Sequence, residues 1–349
     1  MEIKKYRLDD NDTIAFEGKT LYRVVALIDF AGVAAGDRGG YIESENNLSH
    51  DGDAWVRDNA LVYDNAEVCE NALVYGRAEI YGNAKISGNA WVFDGAHIYD
   101  DAKIYGDARV SSEAKVFEKA QVYGSTQVFG RSHILGEAHV YGNAWVYGNA
   151  YICDCAKVFD KAHVYGYAHI YDKAQVYGCA HIYDDAKVYG SANVFGHADV
   201  FDKAQVYGSA RVYDNATIKN NAKVYGCAKI YDDAWVYGIS SISGNAKIFG
   251  IVDIFGEATI SSYAQVSKYK DYFCAQSFGE AGTTITFFRN VIDNALGWAV
   301  CFGSFVGTIE EFRKEVKKLY DDNLIVQEYL MIADIMELRI KRVENKSDK

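Results

Sequence analysis

An uninterrupted six-residue repeat constrains the fold of this chain more than any other feature. From Ala54 to Ala264 every sixth residue is small, and 32 of these 36 residues are Ala. The four exceptions are Thr126, Ser132, Ser240 and Val252. Two positions after each small residue, all 36 repeats carry Val or Ile. Self-similarity at a fixed short period is typical of solenoids, in which each repeat packs on its neighbours.

Each hexad has the pattern of a short strand followed by a corner. The small residue and the aliphatic residue two positions later point to the same face of a strand, and we expect that face to line the interior. The residue between them then faces outward. Gly, Asp and Asn follow, as in Gly142-Asn143 and Asp214-Asn215, and these residues tolerate the left-handed backbone of a corner. Proline is absent, which fits a continuous ladder because a Pro would delete one of its hydrogen bonds.

The repeat resembles the hexapeptide repeat of left-handed parallel β-helices. Residues 140–145, Val-Tyr-Gly-Asn-Ala-Trp, have its aliphatic first and small fifth residue, whereas the second position departs from the family pattern. That position is Tyr or Phe in 26 of the 36 repeats. In this family three hexads form one triangular coil, so the resemblance implies an all-β solenoid of about 12 coils over residues 48–267.

The stretch over residues 36–50, together with the repeat, is similar to phage and bacterial hexapeptide-repeat proteins that carry an acetyltransferase label. This resemblance implies a phage- or mobile-element-associated protein. It also makes an acyl-CoA-dependent acyltransferase one of the functions to weigh. Acyltransferases of that family typically place a catalytic His beside a loop that interrupts the repeat, and the 36 hexads of this chain contain no such interruption.

Both ends of the repeat region are expected to be capped, because an open coil exposes unpaired backbone groups. Residues 1–47 contain strand-like runs, notably residues 20–28, and are predicted to form a small β cap. Residues 268–349 lose the period and are predicted to form a small α+β module, with strands in the runs beginning at Thr283 and Trp298. The module is either a plain cap or a partner-binding unit.

Two helices are predicted in this last segment. Thr308 opens the first with a capping box, and its apolar stripe is predicted to be Ile309, Phe312, Val316 and Leu319. The second is predicted from about residue 324 to residue 342.

Charge and cysteine content restrict the functional classes. The net charge of -12 argues against a protein that grips nucleic acid through its phosphates. The seven cysteines match neither a disulfide framework nor paired zinc ligands. The first residues form no apolar leader and the chain has no run long enough to span a membrane, so we expect a cytoplasmic protein without membrane contact.

The histidines offer the most obvious candidate chemistry. Six of them follow the small residue of a hexad and are expected on flat outer faces, where groups do not converge and water is not excluded. Trp145, His163, His181 and Asp199 are spaced by eighteen residues and are expected in one column. Ligands in such a register point in parallel, which favours a solvated polar ladder over a metal site. We predict no catalytic, cofactor-binding or metal-binding residues.

The aromatic residues are the feature that folding alone explains least. The chain has 28 Tyr and 17 Phe, many in outward columns. They either stack on their neighbours and shield the ladder or form an interaction surface. The candidate contact residues are Tyr165, Tyr183, Tyr171, Tyr189, Tyr207, Tyr225, Trp145, His163 and His181.

We therefore predict a non-catalytic binding or scaffold protein. It is expected to self-associate or to bind a protein partner, with carbohydrate as a further ligand class. The alternatives are the acyltransferase and an acidic rod that inhibits a nucleic-acid-binding or host-defence enzyme.

Overall fold

The computed structural model describes residues 4–279, 282–292, 295–321 and 323–344. The chain forms two compact units, Met1–Asp185 and Ala186–Lys349. Each unit contains a parallel β-solenoid, and the predicted fold class is confirmed: N-terminal β-strands, a solenoid of hexads, and a C-terminal sheet with two helices. No helix in the described ranges combines the length and apolar character needed to cross a membrane.

The solenoid of the first unit consists of two-residue strands stacked in three parallel sheets, which we name by their outward side chains. The tryptophan face contains Trp55–Val56, Leu73–Val74, Trp91–Val92, Arg109–Val110, Gln127–Val128, Trp145–Val146, His163–Val164 and His181–Ile182. The lysine face contains Glu67–Val68, Lys85–Ile86, Lys103–Ile104, Gln121–Val122, His139–Val140, Lys157–Val158 and Gln175–Val176. The histidine face contains Leu61–Val62, Glu79–Ile80, His97–Ile98, Lys115–Val116, His133–Ile134, Tyr151–Ile152 and His169–Ile170.

The interior follows the sequence pattern. The Ala and the Val or Ile of each hexad in the first unit are fully buried, as predicted. Where Thr126 and Ser132 replace Ala, their side chains are also buried, and each hydroxyl donates to the carbonyl three residues earlier, at 2.7 and 3.0 Å. Because the extra polar atom is paired locally, the substitution avoids an unsatisfied buried group.

Regular backbone hydrogen bonds join successive coils. The amide of Trp145 donates to the carbonyl of Ala162 at 2.9 Å, and the amide of Tyr147 donates to that of Val164 at 3.0 Å. At the corners, Gly142 has φ +74°, and a Cβ there would lie 2.8 Å from the amide nitrogen of Asp160. Glycine at this corner therefore avoids a close contact with the next coil at a positive φ that favours it.

Acidic residues occupy other corners in the same left-handed conformation. Asp154 has φ 56°, and its carboxylate accepts the amide N–H of Asp172 at 3.1 Å. In the second unit, the carboxylate of Asp232 accepts the amide of Gly250 at 2.9 Å. These stacked acids thus bind the backbone of the following coil, which agrees with a structural role at corners.

The first coil is covered by an antiparallel N-terminal segment. Its strands are Tyr6–Phe16, Lys19–Ala26 and Arg38–Ile42, followed by a 3₁₀ turn at Glu45–Asn47. The first two strands pair antiparallel, and Arg38–Ile42 pairs parallel with Leu61–Val62. The predicted strand-like run at residues 20–28 therefore falls largely on the second strand, whereas the first and third were not predicted.

Buried side chains of this segment satisfy the carbonyls that the first coil leaves without a ladder partner. The Lys5 amine donates to the carbonyls of Gly52 and Ala54 at 3.1 and 2.9 Å. The Asn47 amide donates to the carbonyls of Asp64 and Ala66 at 3.0 and 2.8 Å. Burial lowers the pKa of Lys5 to about 8. Side chains thus replace the missing coil as the source of donors.

The second unit begins with three further stacks of two-residue strands. One contains Lys187–Val188, Gln205–Val206, Lys223–Val224, Ser241–Ile242 and Thr259–Ile260; another contains Asn193–Val194, Arg211–Val212, Lys229–Ile230, Lys247–Ile248 and Gln265–Val266; the third contains Asp199–Val200, Thr217–Ile218, Trp235–Val236 and Asp253–Ile254. A 3₁₀ turn at Tyr269–Asp271 leads into an antiparallel sheet of Tyr272–Phe278, Thr283–Ile292, Ala295–Phe302 and Phe305–Gly307.

Two helices complete the second unit, α1 at Ile309–Leu319 and α2 at Asn323–Glu344. The predicted capping box is confirmed: the amide of Glu311 donates to the Thr308 hydroxyl at 3.2 Å, and the Glu311 carboxylate accepts the amide of Thr308 at 2.8 Å. Phe312 and Val316 are buried as predicted.

The prediction that Leu319 belongs to the apolar stripe of α1 is wrong, because its side chain is 53 % exposed. Leu319 is the last residue of the helix, and Tyr320 packs against the module core instead. The Tyr320 ring stacks on Tyr329 of α2 at 5.3 Å. A helix periodicity alone does not show which neighbour fills the space at a helix end.

Candidate functional site

The tryptophan face carries large aromatic side chains at the surface of the first unit. Trp91 and Trp145 are each 38 % exposed. The guanidinium of Arg109, one coil from Trp91, lies 4.7 Å from the Trp91 ring centre. Trp145 stacks on His163 with the ring centres 5.3 Å apart and the planes at 26°. The outward side chains of this face therefore support one another along the column and leave indole surface exposed to solvent.

A ladder of aromatic rings runs beside this column, at the position after each strand. Tyr147 stacks on Tyr165 at 4.8 Å, and Tyr165 stacks on Tyr183 at 4.9 Å, with nearly parallel planes. Phe129 meets Trp145 edge-on at 6.3 Å. These ladder rings are half-buried, and the stacked arrangement confirms that they pack on their own neighbours. The stacked ladder therefore packs against the edges of the exposed tryptophans and supports their rings.

The tryptophan face differs in charge from the chain as a whole. Its outward strand positions are Trp55, Leu73, Trp91, Arg109, Gln127, Trp145, His163 and His181. The ladder positions beside them are Arg57, Tyr75, Phe93, Ser111, Phe129, Tyr147, Tyr165 and Tyr183. Neither column contains Asp or Glu, although the net charge of the chain is -12. The strip is therefore mostly aromatic, and its arginines, Arg57 and Arg109, are cationic.

The chain itself covers the first tryptophan of this column. Trp55 is only 2 % exposed, because the ring of Phe30 packs edge-on against it at 5.3 Å and Tyr6 lies at 6.4 Å. The amine of Lys5 lies 5.1 Å from the centre of the Phe30 ring. An aromatic side chain from a protein segment therefore fits on this column, and Trp91 and Trp145 present the same side chain without such a cover.

Partial burial alters the acid–base behaviour of groups on this strip. Burial, and then the neighbouring His181, hold the pKa of His163 below its ordinary value of 6.5. Burial raises the pKa of Tyr147 above 10.0. Both side chains are consequently uncharged at neutral pH, and the surface they share with Trp145 carries no formal charge there.

No protein-family model matches this chain, and no curated protein matches its sequence. We therefore infer function from the geometry of the tryptophan face.

The structure groups some of the predicted contact residues and separates others. Trp145, His163, His181, Tyr165 and Tyr183 lie together on the tryptophan face and its ladder.

The remaining candidates lie elsewhere. Tyr171 follows the histidine-face strand His169–Ile170. Tyr189, Tyr207 and Tyr225 form a separate stack in the second unit, with ring centres 4.8 and 4.9 Å apart.

Trp91 was not among the predicted contacts. It precedes Trp145 by 54 residues, which is three times eighteen. With three hexads per coil this spacing places the two on one face, so the sequence contained a signal for Trp91.

The column considered for a metal ion does not form a ligand set. His163 and His181 have ring centres 5.1 Å apart at 66°. Within the described ranges, no three His, Cys, Asp or Glu side chains come together as a metal-binding group.

A shallow depression of about 350 Å³ lies on the histidine face, lined by His97, Glu113, Lys115, Arg131 and His133. There the Nε of Arg131 lies 2.8 Å from the Glu113 carboxylate, so the positive charge of Arg131 is partly offset by Glu113.

Proposed function

We propose that this chain is a non-catalytic binding or scaffold protein whose tryptophan face packs against a protein partner. The observation that carries the proposal is the contact between Phe30 and Trp55 at 5.3 Å, in which the chain's own segment covers the column. An apolar or aromatic side chain of a partner would pack on Trp91 and Trp145 in the same manner. Tryptophan is among the side chains that contribute most to protein interfaces.

The rigidity of the solenoid supports this proposal energetically. The backbone under Trp145 is fixed by ladder hydrogen bonds of 2.9 to 3.0 Å, and its ring is held by His163 and Phe129. Little conformational entropy would be lost when a partner binds such a prearranged surface. The desolvation cost of covering the strip is lowest around Trp145, because the strip contains no carboxylate and its cations, Arg57 and Arg109, lie in other coils.

The test compares two variants from the same coil. Trp145→Ala removes the exposed indole, whereas Tyr151→Ala removes a half-buried aromatic side chain at the equivalent strand position on the histidine face. Immobilised wild-type chain and both variants are used to capture proteins from cell extract, and each captured species is then purified and its affinity is measured by calorimetry. We expect at least one species to bind wild type and Tyr151→Ala but to be lost with Trp145→Ala.

Capture that is equal for all three baits would contradict a role for the tryptophan face. A second arm uses neutral and acidic polysaccharides, dextran and alginate, as soluble probes in affinity electrophoresis. Retardation by either polysaccharide that is lost in Trp145→Ala would replace the protein partner with a carbohydrate ligand at the same surface. Folding of each variant is checked by circular dichroism and urea unfolding.

A further inference from the structure

Helix α2 has two apolar faces, and the module core covers only one of them. Tyr329, Ile332, Ala333 and Met336 are buried against the antiparallel sheet and α1. Three other large apolar side chains of the helix remain exposed, namely Met331 at 63 %, Ile335 at 51 % and Leu338 at 67 %. A surface helix normally shows one apolar stripe, so the second stripe calls for a partner.

The exposed stripe has the spacing of a coiled-coil seam. Its residues are Leu324, Glu328, Met331, Ile335, Leu338 and Arg342, which are separated alternately by four and three residues. That alternation gives an average period of 3.5 residues, which keeps a seam facing a second helix along its length. The seam extends over five turns of a 22-residue helix.

The charges in the seam indicate which helix fits it. Glu328 lies seven residues before Ile335 and Arg342 lies seven residues after it. If two copies of α2 pair antiparallel with Met331 of one beside Ile335 of the other, Glu328 of each copy lies within about one helical turn of Arg342 of the other. A parallel pair would instead place like charges together at both ends, which is unfavourable. Antiparallel pairing also brings opposite ends of the two helix dipoles together.

We propose that α2 forms an antiparallel pair with α2 of a second copy of this chain, so that the protein is a homodimer through its C-terminal module. Met331, Ile335 and Leu338 form the apolar centre of the interface, and Glu328 and Arg342 set its direction. This assembly is independent of the function proposed for the tryptophan face. It gives each dimer two copies of that face.

The first test is the mass of the full chain in solution, measured by light scattering over a dilution series. We expect wild type to be a dimer and Ile335→Asp to be a monomer with unchanged circular dichroism, because the Ile335 side chain is exposed within one chain. The control is Leu296→Asp, which changes a side chain that is 57 % exposed on a strand of the same module. The control variant is expected to remain a dimer.

The second test determines the direction of the pair. Glu328→Arg and Arg342→Glu are each expected to weaken dimerisation about tenfold, and the double variant is expected to recover most of the affinity. In the single chain the Glu328 carboxylate also accepts the amide of Gly279 at 3.1 Å. The arginine of Glu328→Arg cannot accept that hydrogen bond, so the bond is lost in both the single and the double variant. Any affinity that the double variant recovers therefore comes from pairing between copies.

If the wild-type chain stays monomeric up to about 100 µM, its dissociation constant is too high for a specific interface of this kind. That result would overturn the proposal. A dimer that Ile335→Asp leaves intact would do the same. A dimer in which both single charge reversals are silent would rule out the antiparallel arrangement. Binding of the monomer to vesicles with anionic lipids, lost in Ile335→Asp, would assign the stripe to a membrane surface instead.

Discussion

The tryptophan face and the lysine face of the first unit have the same backbone and the same interior, but different surfaces. Both are stacks of two-residue strands over fully buried Ala, Val and Ile. The outward positions of one include Trp91 and Trp145, and those of the other include Lys85, Lys103 and Lys157. This difference shows that in a solenoid the interior sets the fold, while the outward columns are free to differ in chemistry.

The strongest way to test the shared interior is to place a charge inside it beneath each face. Val146→Asp under the tryptophan face and Val140→Asp under the lysine face both alter fully buried side chains. Each is expected to destabilise the first unit by about 3–5 kcal/mol, because the carboxylate has no partner there. Urea unfolding followed by circular dichroism measures the loss. A cost that differs several-fold between the two sites would show that the interiors are not equivalent.

The two faces should differ most in partner binding. Trp91→Ala is expected to weaken binding of the captured partner about thirtyfold, or about 2 kcal/mol, as for an interface hot spot. His139→Ala, at an outward strand position of the lysine face, is expected to change the affinity less than threefold. Calorimetric titration of the purified partner gives both values. Equal losses in the two variants would remove the functional distinction between the faces.

A Lys→Met substitution in the N-terminal segment should cost more stability than the same substitution on the lysine face. Lys5→Met removes the donors to the carbonyls of Gly52 and Ala54 beside the covered Trp55, and is expected to cost about 2 kcal/mol. Lys85→Met removes an exposed lysine of the lysine face that pairs with Glu67 at 2.9 Å, and is expected to cost under about 0.5 kcal/mol. Urea midpoints of the two variants provide the comparison. If Lys5→Met proves as mild as Lys85→Met, the cap does not depend on this amine.

The smallest expected effect is the response of the two faces to acid. Burial lowers the pKa of His163 on the tryptophan face and of His139 on the lysine face below 6.5. Because the unfolded chain binds the proton more readily, folding stability should fall as the pH drops below 6.5. His163→Gln and His139→Gln should each reduce that slope in urea unfolding at pH 7 and pH 5. A slope that neither variant changes would assign the acid sensitivity to other groups.

The hexads show how far local pattern determines structure. The strands, the buried small and aliphatic residues and the corners were all predictable, since each coil satisfies the same rule as its neighbours. The caps were less predictable because they occur once. Nothing in the periodicity indicated that the side chains of Lys5 and Asn47 would donate to backbone carbonyls at the start of the solenoid. Leu319 was misplaced for the same reason, because the contact of Tyr320 with the module core exists only in the folded module.

The candidate site was predictable in part. Multiples of eighteen residues assign Trp145, His163 and His181 to one column. The sequence could not show that Phe30, which precedes the repeats, packs over Trp55, while Trp91 stays exposed. Nor could a helix prediction over residues 324–342 show which of its two apolar faces the module would cover.

The sequence by itself determined the solenoid, because a period of six with a small and an aliphatic residue can bury those side chains only by coiling. It also determined which side chains share an outward column. The tertiary structure alone decided which exposed surfaces remain available. Surface side chains are covered by segments distant in sequence. Trp145 is exposed because the N-terminal segment covers Trp55 instead, and Ile335 is exposed because the sheet covers the other face of α2.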